Sequence, residues 1–111
     1  MDITVDKEGR ASIVNMNGNF DIVSSAPFDE QLTALLDAGE THILLDFSQV
    51  SFIASTGLRM LLKTAQRIKD EGGLLHLCCI NETVQEVFAM TGFDTILSIF
   101  ETKEEALADL V

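Results

Sequence analysis

Two hydroxyls stand side by side at Ser55 and Thr56, in the stretch SFIASTGLRMLLK (51–63). An apolar pair, Phe52 and Ile53, precedes them, and Gly57 and a leucine-rich run follow. Side chains of this kind at a helix mouth do one of two things. Either oxygen accepts a hydrogen bond from a free N–H of the first turn and caps the helix, which is worth about 1 kcal/mol. Alternatively one hydroxyl caps while the other takes a phosphoryl group. A phosphate there meets free N–H groups and the positive helix end, and adds about −1.5 to −2 charge to a contact surface. Arg59, Lys63 and Arg67 follow at intervals of four and share one helix face. With Lys69 they make four of the seven basic residues of the chain. The stripe either complements the helix dipole and keeps the surface solvated, or meets an acidic partner beside the hydroxyl pair.

Other reactive residues offer less. Asp46 ends an apolar run, as the phospho-accepting aspartate of a receiver domain does, but such a domain does not start with a hairpin. His76, Cys78 and Cys79 fall in one apolar run. Strand alternation puts His76 and Cys78 on one face and Cys79 on the other, which argues against a disulfide between the cysteines and fits a reducing compartment. No second ligand pair accompanies them, so no metal is expected. Asn81-Glu82-Thr83 matches a glycosylation acceptor without a signal peptide to give it meaning. The sequence has no glycine-rich phosphate loop, and its two histidines build no Ser/His/Asp arrangement. No catalytic residue and no cofactor is therefore assigned.

With 111 residues, 47% of them apolar, the expectation is a single domain over 1–111 with a real core. No apolar run is long enough to span a membrane, and the acidic start MDITVDKEGR is no signal sequence, so a cytoplasmic location is expected. A net charge of −11 disfavours nucleic acid and anionic membranes, whose phosphates a binder must neutralise. The absence of Trp and Tyr removes most base-stacking platforms.

The elements that must position Ser55 can be read from periodicity. DITVDKEGRASIVNMNG reads as a hairpin turning at Glu8-Gly9. SSAPFDEQLTALLDAG reads as a helix with Pro27 at its first position, Asp29 and Glu30 at its positive end, and an apolar stripe of Phe28, Leu32, Leu35 and Leu36. HILLDF (42–47) is a strand covered on both faces. A second helix is predicted from about Thr56 to Asp70, ended by EGG (71–73). LLHLCCI (74–80) is the next strand, followed by a helix capped by Asn81 and ended by Gly92. TILSIF (95–100) is a strand, and TKEEALADLV closes the chain with Thr102 and Glu105 at capping-box spacing. The order ββαβαβαβα implies an α/β fold, with a mixed, mainly parallel sheet of about five strands and about four helices against it.

Taken together these segments resemble a STAS domain, of the bacterial anti-sigma factor antagonist type. The resemblance rests on GNFD (18–21), SSAPF (24–28), LLDFSQVSFIASTGL (44–58), EGG (71–73) and FAMTGF (88–93), and it covers nearly the whole chain. It implies a phospho-switch. The unphosphorylated antagonist binds an anti-sigma factor that is also a serine kinase of the histidine-kinase-like ATPase type, and so frees the sigma factor. Phosphorylation of the first hydroxyl, Ser55 here with Thr56 secondary, weakens the complex, and a PP2C-type phosphatase resets it. The chain would then be a substrate and not an enzyme. The partner-binding set that follows is Asp21, Ser24, Ser25, Ala54, Ser55, Thr56, Gly57, Arg59 and Lys63. One position departs from the pattern: Ala54 stands where an aspartate usually precedes the serine. A non-phosphorylated scaffold or transporter-associated subunit, with Ser55 only capping the helix, is the alternative.

Overall fold

A computed structural model describes residues 1–110, and Val111, the last residue of the expected closing helix, lies outside them. The elements run β1 (Asp2–Glu8), β2 (Ala11–Phe20), α1 (Ile22–Asp37), β3 (His42–Ile53), α2 (Ser55–Asp70), β4 (Leu74–Cys78), α3 (Glu82–Thr91), a 3-10 turn (Phe93–Thr95), β5 (Ser98–Phe100) and α4 (Lys103–Leu110). The order is the ββαβαβαβα expected from periodicity. One five-stranded sheet has the spatial order β1-β2-β3-β4-β5. Only β1 and β2 are antiparallel, and their hairpin turns through Gly9 at φ +59, the sign that a two-residue hairpin loop needs.

Strand alternation divides the core between the two faces of this sheet. Val14, Met16, Ile43, Leu45, Phe47 and Leu77 pack against Phe28 and Leu32 of α1, Leu61 and Ile68 of α2, and Val84 and Phe88 of α3. On the opposite face Ala11, Ile13, Leu44 and Cys78 meet Ala106 and Leu110 of α4. Because both faces are covered, HILL is apolar without alternation. The Phe20 and Phe28 rings pack in a tilted contact at 4.7 Å between centroids, which ties the end of β2 to α1.

Several boundaries differ from expectation for local reasons. The first helix starts at Ile22, five residues before Pro27. Asp21 caps it by accepting from the N–H groups of Val23 and Ser24, at 3.1 and 3.2 Å, while Ser24 Oγ accepts from the Asp21 N–H at 2.8 Å. That reciprocal cap sets the start, so Pro27 lies inside the helix and Asp29 and Glu30 fall beyond its first turn. The third strand extends to Ile53, because SQVSFI pairs with the end of β2 across two register shifts. Its polar residues gave no strand signal. β4 ends at Cys78, since Cys79 turns out of the strand at φ +63. In place of a strand from Thr95, a 3-10 turn covers Phe93–Thr95 and β5 shrinks to three residues. Asn81 caps α3 as expected, accepting from the Val84 N–H at 2.8 Å.

Candidate functional site

Backbone hydrogen bonds hold the mouth of α2. The Ala54 N–H donates to the Phe20 carbonyl at 2.8 Å, and the Leu58 N–H returns to the Ala54 carbonyl at 2.9 Å. Gly57 lies so close to β2 that an added Cβ would stand 2.4 Å from the Phe20 carbonyl oxygen. Glycine is therefore required there by close approach, and it seats the first turn of α2 against the end of β2.

The expected cap does not form. Ala54 is the N-cap residue, with extended φ and ψ of −85° and 167°, and no side chain caps the helix. Ser55 and Thr56 occupy the first and second helical positions, where their own backbone points along the helix. This corrects the reading of either hydroxyl as the cap: the position that could do so holds an alanine. Ser55 is exposed and Thr56 half-buried. An exposed hydroxyl thus stands beside N–H groups that no side chain takes up.

The neighbouring helix mouth is arranged differently. Asp21, Ser24 and Ser25 are occupied in holding α1. Besides the cap, Ser24 Oγ donates to the Asn19 carbonyl at 3.0 Å and Ser25 Oγ to the Asp21 carbonyl at 2.8 Å. Ser24 is buried, so it is not a surface contact, and Asp21 and Ser25 are half-buried. Those three residues position the surface more than they form it.

The surface itself includes side chains that sequence reasoning passed over. Ile22 and Val23 are 72% and 78% exposed at the start of α1, and Phe52 is 45% exposed near the end of β3. Between α1 and α2 a shallow groove of about 260 Å³ is lined by Ile22, Ser25, Thr56, Arg59, Met60 and Lys63. Its floor is apolar and its rim carries two cations. A signal for Ile22 and Val23 was available: the buried stripe of α1 is Ser24, Phe28, Leu32 and Leu36, at spacing four, and both residues fall off it.

The basic stripe divides. Arg67 ties α2 to α1, donating to Thr33 Oγ1 at 3.0 Å and pairing with Asp37 at 3.3 Å, and it also pairs with Glu71 at 3.1 Å. Among the described residues no ion pair engages Arg59 or Lys63, and both are exposed. Two of the three cations therefore remain open, and both line the groove with Thr56. Arg59 follows Ser55 by four residues, the spacing at which an acidic group and a cation meet on a helix.

Elsewhere, the buried imidazole of His76 lies between the Leu75 carbonyl, 3.0 Å from Nδ1, and Asp109 Oδ2, 2.5 Å from Nε2. It fastens α4 to the sheet. Burial pushes the Cys78 thiol well above the usual thiol range, so it makes a poor nucleophile. No helix among the described residues is long and apolar enough to cross a membrane.

Comparison with known proteins places the fold in a family. The STAS domain pattern matches residues 2–106. The chain is 32% identical to BtrV of Bordetella bronchiseptica, which carries the name of an anti-sigma factor antagonist, over 97% of this chain and 93% of that one. It is also 32% identical to the anti-sigma-B factor antagonist of Bacillus subtilis, over 94% and 96% of the two chains. The crystal structure of a Thermotoga maritima protein, also named as an anti-sigma factor antagonist, superposes with a TM-score of 0.92 at 26% identity, covering 97% of this chain and 93% of that one.

Proposed function

The chain belongs to the STAS domain family, and on that premise we propose that it is a cytoplasmic, single-domain anti-sigma factor antagonist switched at Ser55. Unphosphorylated, it docks through the α1/α2 groove onto an anti-sigma factor that is also a serine kinase, and the sigma factor is released. The observation that carries this reading is the exposed Ser55 at the first position of a helix whose mouth has no side-chain cap. The names of its relatives support the partner class.

Each part of the site has a physical role in that cycle. The exposed Ile22, Val23 and Phe52, with Met60 in the groove, supply apolar area for a partner to cover, worth about 25 cal/mol per Å² removed from water. Arg59 and Lys63 offer two open cations to acidic groups on the partner. The kinase brings ATP and Mg²⁺, and this chain is its substrate. A phosphate on Ser55 has local donors for its oxygens: the free N–H groups of the α2 mouth and the Arg59 guanidinium one turn on. The phosphorylated form then withdraws Arg59 from the partner and presents about −1.5 to −2 charge to an acidic surface. A PP2C-type phosphatase restores the hydroxyl.

The test is incubation with the cognate kinase and ATP, followed by mass spectrometric location of the phosphate. Phosphate on Ser55 is expected; none, or phosphate only at sites other than Ser55 and Thr56, contradicts the proposal. A constitutive scaffold is the second reading, favoured by Ala54 in place of the usual aspartate. It predicts no phosphate and partner binding indifferent to Ser55→Asp.

A further inference from the structure

At the end of β4 the fold gathers three donors, the adjacent Cys78 and Cys79 and, from β3, Asp46. Asp46 of β3 lies directly opposite Cys78 in the parallel register. Both side chains point to the α4 face of the sheet, since Leu45 and Leu77 beside them belong to the other face. Alternation would send Cys79 the opposite way. Instead Cys79 leaves the strand at φ +63, the only positive φ outside glycine among the described residues, and donates its N–H to the Phe100 carbonyl at 3.2 Å. The turn brings its sulfur back to the side of Cys78. A ligand atom from each of Asp46, Cys78 and Cys79 then lies within 4.8 Å of the other two.

We propose that Asp46, Cys78 and Cys79 form a binding site for a thiophilic divalent cation of the zinc class. Two thiolates and a carboxylate suit such an ion, with Zn–S distances of about 2.3 Å and Zn–O distances of about 2.0–2.2 Å. Tetrahedral bonds of that length put the sulfurs about 3.8 Å apart, so the donors need only a small inward movement. The carboxylate is already oriented, because the Ser48 N–H donates to Asp46 Oδ1 at 2.9 Å and leaves Oδ2 for the ion. Cys78 is fully buried, whereas Asp46 and Cys79 are half-buried and open the site to solvent on their side. The ion replaces the two thiol protons, which leave to solvent, and the carboxylate supplies an oxygen. Three protein donors leave a fourth tetrahedral position for water or an exogenous ligand. His76 takes no part, since its Nε2 is committed to Asp109.

This site differs from the sequence reading, which paired His76 with Cys78 and expected no metal. Asp46 comes from another strand, and the backbone turn at Cys79 reverses the face that alternation assigns to it.

Cadmium serves as the spectroscopic probe. The reduced protein titrated with Cd²⁺ should develop sulfur-to-cadmium charge-transfer absorption that saturates at one equivalent and is reversed by excess Zn²⁺. Cys79→Ser, checked for folding by circular dichroism, should lose most of that band. Asp46→Asn should keep the band but bind more weakly by at least about tenfold, since even outer-shell losses cost about 10- to 100-fold. No band at stoichiometric cadmium, or unchanged binding in Cys79→Ser, overturns the site. Unchanged affinity in Asp46→Asn overturns the three-donor arrangement.

Discussion

Replacing Ala54 by aspartate should stabilise the protein, because the substitution fills a cap position that is empty. Ala54 already has the extended backbone of an N-cap residue, and its carbonyl already accepts from Leu58. Only the side-chain oxygen is missing. The residue is half-exposed, so a carboxylate has room to turn toward the N–H groups of Thr56 and Gly57. Exchange of alanine for a good cap is worth about 1 kcal/mol, within a range of about 0.5–2. A charge at the positive helix end adds about 0.3–1 kcal/mol at low salt. At about 2.1 cal/mol/K of unfolding entropy per residue, each kcal/mol moves the melting temperature of a chain this size by about 4 °C. A rise of about 4–8 °C in a calorimetric melt is therefore expected for Ala54→Asp. Ala54→Ser should give the lower part of that rise, without the salt dependence. If both substitutions leave the melt unchanged or lower it, the α2 mouth is satisfied in some other way. The free N–H groups assigned to the phosphate would then be lost from the account.

The remaining predictions concern the same corner and one distant tie. Ser55→Ala should cost less than about 0.5 kcal/mol in a urea melt, because Ser55 is not the cap; a loss near 1 kcal/mol would restore the capping role. Ser55→Asp should retain stability, since the charge sits at the positive helix end, yet weaken kinase binding in calorimetry; full affinity would argue against charge repulsion. Gly57→Ala should destabilise by about 1–3 kcal/mol, because its Cβ would meet the Phe20 carbonyl oxygen at 2.4 Å, and an unchanged melt would show that β2 yields there. Glu40, held below its ordinary range by hydrogen bonds from Lys7 and Ser12, should titrate by NMR at a lower pH than a free glutamate. Its contribution is present at neutral pH and lost as pH falls through the depressed value. Lys7→Ala should bring the titration back up, and failure to do so removes Lys7 as the cause.

Where the sequence carried periodic apolar residues, the fold was legible. The five strands and four helices fall in the expected order because each buries an apolar face of recognisable period. The start of α1 was not legible from Pro27, whose preference for a first helical position gave way to the reciprocal cap between Asp21 and Ser24. The second half of β3 was invisible because Gln49 pairs through its backbone and Ser48 and Ser51 fall at the register shifts, none of which carries a side-chain signal. At the site, Ser55 stood out through its neighbours and the resemblance. The division of the basic stripe did not, since Arg67 is distinguished from Arg59 and Lys63 only by what α1 places opposite it. Nor could alternation foresee that Cys79 turns back toward Cys78 and Asp46.

The central claim is that a phosphate on Ser55 closes the α1/α2 docking surface. Its most direct test is the affinity of this chain for its cognate anti-sigma kinase, measured before and after stoichiometric phosphorylation of Ser55 at one salt concentration. Loss of Arg59 and the added charge together predict a weakening of at least about tenfold, or about 1.4 kcal/mol. Equal affinity for the two forms would contradict the account.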